Sequence, residues 1–159
     1  MTLRAPTDRD ADPRGSVPDT PSHVAHVDAW LKRSAKDLSP EVLLQLFEKA
    51  LGVLWARTTT TLGDVTLTAI TDRVLYNASE QFPLFSSLEV EPTGGIQFRE
   101  LRARVSSVSV SELKEAIRFV LVEFLTVLGN LTAEILTPEL HSALSHVALP
   151  RTKTKGKAS

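Results

Sequence analysis

Between Ser109 and Leu136 the chain reads SVSELKEAIRFVLVEFLTVLGNLTAEIL, and no other stretch limits the possible fold as tightly. Ser109 and Glu112 stand at capping-box spacing: the serine oxygen can accept the N3 amide while the glutamate reaches back to the serine amide. Val108 and Leu113 flank that cap as a hydrophobic staple. Beyond it, Leu113, Ile117, Val120, Phe124, Val127 and Leu131 recur at steps of three or four, which is one helical face. Ala116, Leu121, Leu125, Leu128 and Leu136 widen the stripe towards the whole circumference. A helix apolar nearly all round is either the middle of a bundle or a membrane span. Here the uninterrupted run falls well short of the roughly 20 residues a bilayer core needs, and Glu123 interrupts it near its centre. The segment therefore predicts a central helix over 109–136 and no membrane span.

Two residues in it need a reason. A carboxylate at Glu123, set in an apolar layer, is costly unless paired or protonated. Glu123 is thus a candidate buried polar switch, or else it lies on a narrow solvent strip beside Arg118 or Thr126. Gly129 costs about 1 kcal/mol relative to alanine inside a helix, which fits a kink or the close approach of a neighbour.

Around this helix the punctuation repeats. Thr20-Pro21, Ser39-Pro40-Glu41 and Thr137-Pro138-Glu139 each pair a capping hydroxyl with a proline suited to the first helical turn. Val24, Val27, Trp30 and Leu31 then step as a short helix to about Lys36. Leu43, Leu46, Phe47, Ala50, Leu51 and Leu54 form a clear stripe, to at least Arg57. The threonines Thr58 to Thr61 either extend that helix or fray, with Gly63 as a stop. Over 64–81, Leu67, Ile70, Val74 and Ala78 keep the helical period, capped by Asp64 and ended by Pro83. Leu140, Ala143, Leu144 and Val147 give a last helix its apolar side.

Leu88 and Val90 alternate with Glu89 and Glu91, a Pro-Thr-Gly-Gly turn follows, and Ile96 and Phe98 alternate again. That is a β-hairpin over 87–98, with Glu89 and Glu91 facing Gln97 and Arg99. The expected fold is mainly α: a bundle of about four to five helices around 109–136, with this small hairpin attached. Residues 1–19 read as a disordered tail, 20–149 as one helical domain, and 150–159 as a basic disordered tail.

The chemistry implied is sparse. The chain has no cysteine, which excludes disulfides and thiolate zinc sites. It shows no phosphate loop, dinucleotide fingerprint, zinc-protease helix or nucleophile elbow, so no catalytic residue, cofactor or metal is expected. His23 and His26 lie three apart, but two histidines without a third ligand do not make a metal site, and they are expected in solvent. His141 and His146, five apart, point away from each other on a helix. A polar N-terminus without an apolar core makes the cytoplasm the default location.

Residues 23–149 carry 15 acidic against 11 basic side chains, which argues against a broad nucleic-acid surface. The leading expectation is a non-catalytic regulatory or adaptor domain that associates through helices, as a homodimer or with a helical protein partner. Its candidate interface is Ile117, Val120, Phe124, Val127 and Leu131, because the remaining helices are too short to cover a 28-residue central helix of about 42 Å. The alternative is a winged-helix-like nucleic-acid binder, with the 64–81 helix before the wing and Arg99, Arg102 and Arg104 contacting phosphates. A further alternative is a sensor holding an apolar small molecule among Trp55, Tyr76, Phe119 and Phe124.

Overall fold

Ser109 caps the central helix as its spacing predicts, its Oγ accepting from the Glu112 amide at 3.3 Å. The computed structural model describes residues 22–91 and 95–148. In chain order the described elements are α1 (His23–Ser34), α2 (Pro40–Leu62), α3 (Asp64–Gln81), a 3-10 turn (Pro83–Phe85), β1 (Glu89–Glu91), β2 (Gly95–Gln97), α4 (Arg99–Arg104), a second 3-10 turn (Val105–Ser107), α5 (Val110–Leu131) and α6 (Thr137–Ser145). The fold is mainly α, with one two-stranded antiparallel hairpin among the described residues. The tails at 1–19 and 150–159 and the Pro-Thr-Gly turn of the hairpin lie outside the described residues, as do Thr20 and Pro21. The expected cap at Thr20 is nevertheless corrected: Ser22 caps α1, its Oγ accepting from the Ala25 amide at 3.0 Å.

α5 packs against α1, α2, α3 and α6 and is the centre of the bundle. Its inner face buries Leu113, Ile117, Val120, Leu121, Phe124, Leu125 and Leu128. At about 2 kcal/mol for each such side chain, this burial is on the order of ten times the roughly 1 kcal/mol that a cap contributes. Packing, rather than propensity, holds α5. Phe47 of α2 stacks on Phe85 at 5.5 Å and meets Phe98 edge-on at 5.7 Å, which anchors the first 3-10 turn and the residue after β2 on α2.

α5 ends at Leu131, five residues short of the expected Leu136. Ala133 and Glu134 take left-handed backbone, at φ 51° and 65°. The Glu134 amide reaches the Gly129 carbonyl at 2.7 Å and the Ala133 amide reaches Asn130 at 3.4 Å. This is a Schellman closure built without the usual glycine, so the sequence carries no stop signal there. Gly129 is explained by the same turn, since a Cβ on it would stand 2.5 Å from a carboxylate oxygen of Glu134. A folded-back side chain, and not a neighbouring helix, makes the close approach.

Other boundaries differ for local reasons. α2 continues through the threonines to Leu62, and within it Thr58 and Thr59 satisfy their hydroxyls on the carbonyls of Leu54 and Trp55 at 2.6 and 2.8 Å. Gly63, at φ 83°, then turns the chain and also precedes α3 as its cap position, so Asp64 sits in the first turn and does not cap. In the hairpin Glu89 pairs with Gln97 and Glu91 with Gly95, while Arg99 already belongs to α4. Thr137 begins α6 but does not cap it, because its hydroxyl donates to Glu134.

Gly52 lies exposed inside α2 with no atom near the place of a Cβ. Gly52→Ala is expected to raise unfolding stability by about 0.5–1 kcal/mol in urea melts, the helix-propensity difference alone.

Candidate functional site

One face of α1 carries His23, His26, Trp30 and Arg33, at steps of three, four and three, and all four reach α6 or the residues just after it. The Trp30 indole donates to the buried Val147 carbonyl at 2.9 Å, and Arg33 donates to the Ser145 carbonyl at 3.4 Å. Lys49 of α2 adds a bond to the Ala148 carbonyl at 2.9 Å. The last carbonyls of a helix have no partners within it, and here side chains from α1 and α2 supply them.

The histidines form the centre of this seam. His23 Nδ1 lies 2.9 Å from His141 Nε2, with the rings edge to face. His26 stacks on the other side of His141, at 4.1 Å between ring centres. Ser145 donates its hydroxyl to the His141 carbonyl, so the His26 Nε2 contacts to Ser145 Oγ and the same carbonyl, both 2.9 Å, require His26 to be the donor. On its far side, His23 Nε2 is buried and faces Glu134 Oε1 at 3.6 Å. Glu134 is held there by the Schellman turn and by the Thr137 hydroxyl.

Burial pushes the His23 imidazole below its ordinary value, against the opposing pull of Glu134. His141 is pushed down to about 4, first by burial and then by the neighbouring His26 and His23. Both rings therefore favour the neutral form more than a free imidazole does.

This cluster corrects the expectation of solvent-exposed histidines. The buried face of α1 is His23, Val27, Trp30 and Leu31, and Val24 is turned outward. Among the described residues no group of three or more histidine and carboxylate side chains is arranged to hold a metal ion. His146 turns to the Ser142 carbonyl at 2.7 Å, away from His141.

The predicted interface residues divide. Ile117, Val120 and Phe124 are buried within the chain's own core, Val127 is half-buried, and Leu131 is 58 % exposed. The outward strip of α5 is instead Phe119, Val122, Glu123, Thr126 and Val127, all half-buried. Glu123 thus lies on the strip and not in an apolar layer. Arg118 is taken by Asp28 at 2.6 Å.

The three arginines of the nucleic-acid reading sit on α4. Arg102 is paired with both carboxylate oxygens of Glu48, at 2.6 and 3.3 Å, Arg104 donates to Ser87 at 3.1 Å, and Arg99 is exposed. The four aromatics of the sensor reading do not gather. Trp55 lines an open cleft of about 330 Å³ with Gly52, Ile96 and Phe98. Tyr76 is 62 % exposed, Phe119 packs on Phe82 at 5.9 Å, and Phe124 is in the core.

No family model matches the chain, and neither a curated protein nor a solved structure does. Among the described residues no helix is long and apolar enough to cross a membrane.

The Trp30 bond gives a direct check of the seam. Trp30→Phe leaves the buried Val147 carbonyl without its donor, and is expected to cost about 1–3 kcal/mol in urea denaturation, beyond any loss of ring volume.

Proposed function

We propose that the chain is a non-catalytic regulatory or adaptor module that works by pairing with a second copy of itself. The observation carrying this reading is an exposed apolar group at one end of the bundle: Leu131 is 58 % exposed, Ile135 77 % and Val24 41 %. Val127 and Leu131 are one turn apart on α5, and Ile135 follows just past the turn. The contact of His23 with Glu134 brings Val24 to the same end.

Large apolar side chains left in water together mark an association surface more often than a free one. A two-fold pairing places the same patch on both copies, so a single self-complementary apolar group suffices. The half-buried strip of Phe119, Val122 and Val127 extends that patch along α5. Helix pairs of this kind suit regulation, because small shifts between packed helices transmit a change of state.

Sedimentation velocity on the full chain tests the reading. The wild type is expected to be a dimer at micromolar concentration, and Leu131→Arg with Ile135→Arg to be a monomer of unchanged helical circular dichroism, since both residues are exposed. A wild type that stays monomeric at high micromolar concentration would sink it.

A further inference from the structure

α1 and α6 are the terminal helices of the described chain and the two shortest of those that pack on α5, with 12 and nine residues against 23, 18 and 22 in α2, α3 and α5. A helix of 12 residues is marginal on its own and depends on what it docks against. We propose that the histidine cluster is a proton-operated latch, whose protonation parts α1 from α6 while the body of α2, α3 and α5 stays folded.

The geometry sets how many protons the seam accepts. The contact between His23 Nδ1 and His141 Nε2, at 2.9 Å, has room for one hydrogen. With both rings as imidazolium, two N–H groups would point at each other. His26 stacked at 4.1 Å from His141 adds a second like-charge conflict if both are charged. Glu134, facing His23 Nε2 at 3.6 Å, offsets a single positive charge on that ring and opposes the lowering of His141 less than burial and the two neighbouring histidines drive it. The other charges at the seam are the Arg33 guanidinium on the Ser145 carbonyl and the Lys49 ammonium on the Ala148 carbonyl, both cationic. One proton is tolerated, and the next must open the contact.

The sign follows from the direction of the shifts. His23 and His141 are held below the free imidazole value of about 6.5, so the opened seam binds more protons than the closed one. The closing free energy is fully present above about pH 6.5 and is lost as pH falls towards about 4. Opening takes Val24 out of the exposed patch and uncovers the side of α5 beneath α1.

The test reads α1 and α6 and does not depend on self-association. Trp55→Phe leaves Trp30 as the sole tryptophan of the two in the chain. Its emission is expected to shift to the red between pH 6.5 and 4, while α5 stays protected from hydrogen exchange. After the intrinsic exchange rate at each pH is divided out, the opening constant of α1 and α6 should rise about tenfold per unit fall in pH for each extra proton taken up. In the same background His141→Gln, which keeps a neutral hydrogen-bonding group, should flatten the transition. The latch is overturned if α1 and α5 lose protection together at one pH, or if His141→Gln leaves the Trp30 midpoint unmoved. Should that variant not fold, proton resonances of the four histidines in the wild type decide. At least one cluster histidine must then stay neutral down to the Trp30 transition, and titration of all four before any change at Trp30 overturns the proposal.

Discussion

Seven large apolar side chains along one side of α5, from Leu113 to Leu128, must be kept from water, and α1, α2, α3 and α6 are arranged to do it. Among the described helices α2 comes nearest, burying Leu43, Leu44, Leu46, Phe47, Leu51 and Leu54 in the same core. The hairpin and α4 are attached to the outcome through Phe47, Phe85 and Phe98 and do not determine it. Because the demand is met within one chain, Ile117, Val120 and Phe124 face inward. The surface left to a partner is the weaker outward strip and the exposed end near Leu131.

Covering α5 creates a second problem, which is polar. α6 is short, and the carbonyls at and just beyond its end lie against α1 and α2, that of Val147 buried and those of Ser145 and Ala148 near solvent. Trp30, Arg33, Lys49 and His26 supply donors to them. A seam made this way is satisfied only while its donors and acceptors are correctly protonated. That condition is strict where two imidazole nitrogens share one hydrogen. The left-handed pair Ala133 and Glu134 belongs to the same construction, since it ends α5 early and sets the carboxylate against His23.

The helices were legible because their signals are local. Ser39 and Ser109 cap where the spacing puts them, the period over 64–81 is a helix, and Leu88 to Phe98 contains a hairpin. The misreadings share one cause. Asp64 and Thr137 have capping chemistry, but Gly63 and Leu136 occupy the cap positions, and Thr137 finds a stronger partner in Glu134. Val24 fits the period of α1 as well as His23 does. Which of the two is buried depends on where α6 lies, and periodicity in α1 holds nothing about that.

By itself, the sequence of SELKEAIRFVLVEFLTVL determined that this would be a helical bundle with α5 inside it, because an apolar circumference can be stabilised in water in no other way. For Gly129 it left open a kink or a space for a closely approaching helix. Only the tertiary structure decided what fills that space, and that His23, His26 and His141 meet across more than a hundred residues of chain. The physical reason is range: hydrophobic periodicity records whether a face is buried, whereas the partner of a polar group is set by the packing of distant elements, which no local pattern encodes.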